Sequence, residues 1–168
     1  SNYGYSIYSH VELTPYQTIG DIRPQITSFI IGDEVEYLPS GLCKNMTNLT
    51  SITIPASVKY IGEEFDNTGI TSVVWNANVG DRCKSPYKES DYQSSFEDYL
   101  QHTYLPFRNI ASQITSFAIG GNVDSIPQGL CKDMANVVSF NVPQNVKFIG
   151  NDAFNGCTSM TNITLGNA

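Results

Sequence analysis

One spacing of apolar residues dominates the chain. The pattern apolar-x-x-apolar-x-apolar begins at Ile26, Leu49, Ile70, Ile114, Val137 and Met160. The third and fifth residues of these stretches are mostly small or hydroxylated: Ser28/Ile30, Ser51/Thr53, Ser72/Val74, Ser116/Ala118, Ser139/Asn141 and Asn162/Thr164. Alternation of this kind is the period of a strand that buries one face. It predicts strands near 27–31, 50–54, 71–75, 115–119, 138–142 and 161–165, parallel and stacked in one sheet. Gly or Pro follows most of them (Gly32, Pro55, Gly120, Pro143, Gly166) and turns the chain. What lies between each corner and the next strand is long enough for one helical turn at most.

The pattern repeats with a period. The six stretches start 23, 21, 44, 23 and 23 residues apart. Each unit continues in step. A Val comes next (Val35, Val58, Val79, Val123, Val146), then Leu38, Ile61, Ile126 or Ile149, each followed by Pro or Gly. Cys43, Phe65, Cys131 and Phe154 share a later slot, and Met46, Met134 and Cys157 the one three residues on. Apolar residues at the same place in every unit mark turns that bury their edges only against neighbouring turns. Above this sits a longer repeat: QITSFIIGDEVEYLPSGLCKNMTN from Gln25 returns as QITSFAIGGNVDSIPQGLCKDMAN from Gln113, 88 residues later. With a period of about 22, that offset corresponds to four turns, the one starting near Tyr92 having lost the pattern.

Apolar-x-x-apolar-x-apolar at such a period is the signature of leucine-rich repeats. LTSITIPASVKYIGEEF and NVPQNVKFIGNDAFNGCTSMTNITL closely resemble the BspA-like leucine-rich repeats of bacterial surface proteins, over roughly 26–79 and 114–168. Leu42-Cys43 and Leu130-Cys131 depart from that family's Ala-Phe, and 80–113 fits no repeat. The expected fold is a strand-rich α/β leucine-rich-repeat solenoid with short helical or irregular turns and one parallel sheet along one face. A single domain spans 1–168: a degenerate repeat at 1–25, repeats at 26–79, an aromatic and acidic interruption at 80–113, and repeats at 114–168. It reads as a fragment of a longer protein. The resemblance implies a secreted or surface-anchored protein that binds other proteins, often in adhesion.

Charge narrows the function. The net charge is −7, with only 15% charged residues. Nucleic-acid binding needs a basic stripe to displace counterions, and docking on anionic lipid needs one too. No apolar run is long enough to insert in a membrane. Four cysteines suit a pair of disulfides in a small secreted protein. Slot equivalence argues otherwise: Cys43 and Cys131 occupy a Phe slot and Cys157 a Met slot, so these three are expected to be buried and reduced. On a four-turn count Cys43 and Cys131 lie roughly 19 Å apart, beyond disulfide reach. Cys83 falls where the pattern fails.

Candidate chemistry is sparse. His10 and His102 lie outside the repeats with no ligand spacing, and Cys83 with His102 makes no recognisable nucleophilic pair. Glu63-Glu64 and Glu97-Asp98 are adjacent carboxylates of the kind that are usually solvated. Gly120-Gly121 precedes no helix long enough for a phosphate cradle. No metal, cofactor or catalytic residue is assigned. Asn45, Asn48 and Asn162 head glycosylation sequons, which matter only in a eukaryotic source. The outward strand positions form a strip poor in the Trp, Tyr and Arg that dominate binding hot spots. The interruption is different: Tyr87, Tyr92, Phe96, Tyr99 and Tyr104 lie close together there, with Phe107 beyond them. These first five are the expected protein-binding residues, although the same rings would also serve to plug a broken turn. A host, neighbouring-cell or matrix protein is the expected partner, and a glycan is a further one. The alternative is a structural spacer holding another domain off the cell surface.

Overall fold

Five of the six alternating stretches form strands, and those that pair do so in parallel and in register. The computed structural model describes residues 22–63, 65–81, 83 and 104–166. Its strands are β1 (Tyr37–Leu38), β2 (Ser51–Ile54), β3 (Tyr60–Ile61), β4 (Ser72–Trp75), β5 (Ser116–Ile119), β6 (Ser125–Ile126), β7 (Ser139–Val142), β8 (Phe148–Ile149) and β9 (Asn162–Leu165). The long strands carry the sheet face, in a run β2-β4-β5 and a pair β7-β9. Ser51 faces Ser72, which faces Ser116, and Ser139 faces Asn162. Within each ladder the inward residues thus lie over their counterparts. Ile52, Val73, Phe117 and Phe140 form one buried row, and Ile54, Trp75, Ile119 and Val142 the next.

A second line of short ladders runs behind the sheet, joining β1 to β3 and β6 to β8 in parallel. On it Tyr37 stacks on Tyr60, with centroids 4.9 Å apart and planes 1° from parallel. Beside them Lys59 pairs with Glu36. The glycine after β8 is needed for close approach. A Cβ on Gly150 would sit 2.4 Å from the Gln128 backbone nitrogen of the turn below. At the N-terminal side, Arg23 is buried and its Nη1 donates to the carbonyls of Gly41 (3.1 Å) and Lys44 (2.7 Å). The turn carbonyls there are satisfied by a side chain, which nothing in the repeat pattern announced.

Two expectations need correcting. First, the 88-residue offset spans three turns of the sheet, because β4 pairs directly with β5 across the 44-residue gap. β4 and β5 are hydrogen-bonded neighbours, so no strand lies between them in the sheet. The third turn instead carries an insertion. Its slots are filled from the far side: Phe107 and Ile110 stand three residues apart and buried, as Cys43 and Met46 do in the first turn. The ring of Phe107 meets Trp75 (6.2 Å, 76°) and Phe117 (5.7 Å, 84°) edge-on. Cys43 and Cys131 are therefore three strand steps apart, roughly 14 Å at about 4.8 Å each, still too far to bridge.

Second, the stretch 27–31 is not part of the hydrogen-bonded sheet, and neither does β5 pair with β7. Both junctions lie between the first and second turns of an 88-residue module. At the other junctions the residue just past the strand donates back to the turn before: Asn76 to Ile54 O (2.9 Å), Gly120 to Trp75 O (2.8 Å) and Gly166 to Val142 O (2.8 Å). At these two junctions that residue is Pro55 or Pro143, and proline has no N–H to give. The ladder loses its closing bond at the same place in each module.

Candidate interaction surface

Strand geometry fixes what the sheet shows to solvent. Ser51, Thr53, Ser116, Ala118, Ser139, Asn141, Asn162 and Thr164 are all exposed, as the alternation predicted. Ile30 stands out on this face at 87% exposure. Where the ladder is broken the face splits into two matching clefts. One, of about 560 Å³, lies between Thr27–Ile31 and Ser51–Thr53 and runs on to Asp33, Pro55 and Asn76. The other, of about 350 Å³, lies between Thr115–Ile119 and Val138, Ser139 and Asn141. Thr27–Ile31, Ser51 and Thr53 of the first correspond at the 88-residue offset to Thr115–Ile119, Ser139 and Asn141 of the second. The sequence signal for them was Pro55 and Pro143, read only as corner residues.

The interruption leaves and rejoins the coil at one point. Cys83 and Tyr104 form an antiparallel bridge, and the Tyr104 N–H donates to Cys83 O at 3.2 Å. Both ends of the insertion are thus held together, which is how it is accommodated without disturbing the β4–β5 register. Of the five residues expected to bind a partner, Tyr104 is half-buried at this neck. Tyr87, Tyr92, Phe96 and Tyr99 lie outside the described residues. Phe107, on the returning arm, is core.

The remaining candidates do not converge. Cys43, Cys83, Cys131 and Cys157 are buried free thiols. Burial pushes the Cys83 and Cys131 thiols well above the ordinary cysteine range, and pushes Cys157 up as well. Cys157 Sγ donates to Cys131 O at 3.1 Å. Such thiols are packing groups rather than nucleophiles. Glu63 is half-buried and lies 3.9 Å from the Arg108 guanidinium. His10, His102, Glu64, Glu97 and Asp98 fall outside the described residues. Among the described residues no three His, Cys, Asp or Glu side chains are grouped to hold a metal ion, and no helix is long and apolar enough to cross a membrane. What the described surface offers is a regular array of small polar groups with two clefts, suited to contact over an area.

No curated protein and no solved structure matches the chain. The family model for the BspA type leucine rich repeat region does match, in six copies over residues 21–92 and 107–168. Proteins of this kind are generally found on bacterial surfaces, and leucine-rich-repeat coils typically serve as protein-interaction scaffolds rather than enzymes. The stacked parallel turns, the shared slots and this match agree, and the chain belongs to the BspA-type leucine-rich-repeat family.

Proposed function

We propose that the chain is a non-enzymatic protein-binding module of a secreted or surface protein, acting in adhesion or host-protein binding. Recognition is carried chiefly by the aromatic insertion, through Tyr87, Tyr92, Phe96, Tyr99 and Tyr104. The observation that carries this reading is the neck at Cys83 and Tyr104. It joins Cys83 to Tyr104, 21 positions on, while the register of the turns on either side is kept. Segments inserted into a rigid repeat escape the packing rule that fixes each turn and are where function accumulates. Their composition fits: aromatic side chains give large contact area at low entropy cost. The strand face supplies a flat polar complement with little to anchor a partner alone.

The test replaces residues 84–103 with a short Gly-Ser link from Cys83 to Tyr104. Wild type and variant are compared for capture of matrix and cell-surface proteins, alongside thermal unfolding. The expected result is loss of capture with the unfolding transition retained. Equal capture by both proteins would move recognition to the strand face. No saturable capture by either would favour a structural spacer.

A further inference from the structure

We propose that each 88-residue module contains a latched hinge, at which the coil bends about the back ladder while the front of the sheet gapes. The junction between the turn of β5 and the turn of β7 shows it best, with described coil on both sides. Its back and its front are joined differently. Behind the sheet the junction is closed by backbone. β6 pairs with β8, the Lys147 N–H donates to Asp124 O (2.8 Å), and that of Gly150 to Ile126 O (2.8 Å). Further along the turn, the N–H groups of Gly129, Cys131 and Asp133 donate to the carbonyls of Asn151 (3.0 Å), Ala153 (2.9 Å) and Asn155 (2.7 Å).

In front no ladder joins β5 to β7, and Pro143 has no N–H for Ile119 O. Two exposed side chains tie the front instead, one at each end of the gap. The Asn136 carboxamide donates to Ser112 O (2.6 Å) just before the strands, and that of Asn145 to Gly121 O (2.5 Å) just past them. Inside, Phe117 and Phe140 still meet, 6.2 Å apart and tilted by 52°, so the gap does not reach the core. Water offers an exposed carboxamide equivalent partners, so these two ties give way before the row of backbone bonds behind. The bend is therefore about the back, and the two asparagines are its latches. The first module repeats the arrangement. β1 pairs with β3 behind, no ladder joins 27–31 to β2 in front, and the Asn48 carboxamide donates to Pro24 O (2.6 Å), as Asn136 does 88 residues on. Between the hinges the runs β2-β4-β5 and β7-β9 are stiff, because their ladders are unbroken.

Double electron–electron resonance on the 168-residue chain tests the hinge. One pair of spin labels spans the front, at Val74 and Thr164, and another spans the back, at Lys59 and Lys147. Each pair crosses the β5–β7 junction once, and all four positions are exposed. The labels are carried on encoded p-acetylphenylalanine, which leaves the four buried thiols untouched. In the variant Asn136→Ala/Asn145→Ala the front distances are expected to lengthen and spread, while the back distances stay as in wild type. Unchanged front distances overturn the proposal. So does an equal change in both pairs, which would be general loosening. Hydrogen exchange of the wild type is a second measurement that needs no variant. The Ser139 and Asn141 amides are expected to exchange faster than those of Lys147 and Gly150. Equal or greater protection in front overturns the proposal as well.

Discussion

The ring of Phe107 lies flat on that of Phe65, with centroids 5.1 Å apart and planes 6° from parallel. They lie 42 positions apart in the chain, yet they are consecutive occupants of one slot in the stack. A stacked coil needs every slot filled, because a gap removes contacts from the turns on both sides. The chain therefore tolerates a 20-residue excursion only because it returns with a ring of the right size in the right place.

Phe107→Ala should accordingly cost about 3–5 kcal/mol in urea unfolding, the usual range for emptying a buried aromatic site. Phe107→Leu should cost clearly less. A loss for Phe107→Ala no greater than that of an exposed residue would mean that the insertion is not what closes the third turn.

The broken ladder at β5 and β7 makes a second expectation. Pro143→Ala restores an N–H opposite Ile119 O, and that new amide should exchange slowly with solvent. Net stability should shift by no more than about 1 kcal/mol, since the bond gained is offset by greater freedom of the unfolded chain. An amide exchanging at the rate of a free peptide would show that the side chains around Phe117 and Phe140 hold the cleft apart, not the proline.

The cysteines give a pH expectation. In the unfolded chain thiols ionise near their ordinary value of about 8.5, whereas Cys83, Cys131 and Cys157 in the fold are held protonated to higher pH by burial. The native state then binds more protons than the unfolded one, so stability is full below that pH and falls as pH rises above it. Thermal unfolding between pH 7 and 10 should show the decline, and replacing the three with Ala, Ala and Met, in that order, should flatten it. Iodoacetamide should label all four cysteines only after unfolding. Rapid labelling of any one in the native protein at neutral pH would contradict its burial.

What the sequence determined by itself is the coil and its interior. The period of the apolar positions set which residues face inward, and slot equivalence alone placed Cys43, Cys131 and Cys157 in the core. It also fixed the strip of Ser, Thr and Asn on the outer strand positions. The tertiary structure decided how many turns there are and where the sheet opens. Spacing along the chain counts residues, but register is set by which strands meet, and an insertion lengthens the first without changing the second. That is why the 44 residues from Ile70 to Ile114 read as two turns and fold as one. The clefts escaped for a related reason. Pro55 and Pro143 look like corner residues along the chain, and their missing N–H matters only once Ile31 O and Ile119 O lie across the junction where a donor is wanted.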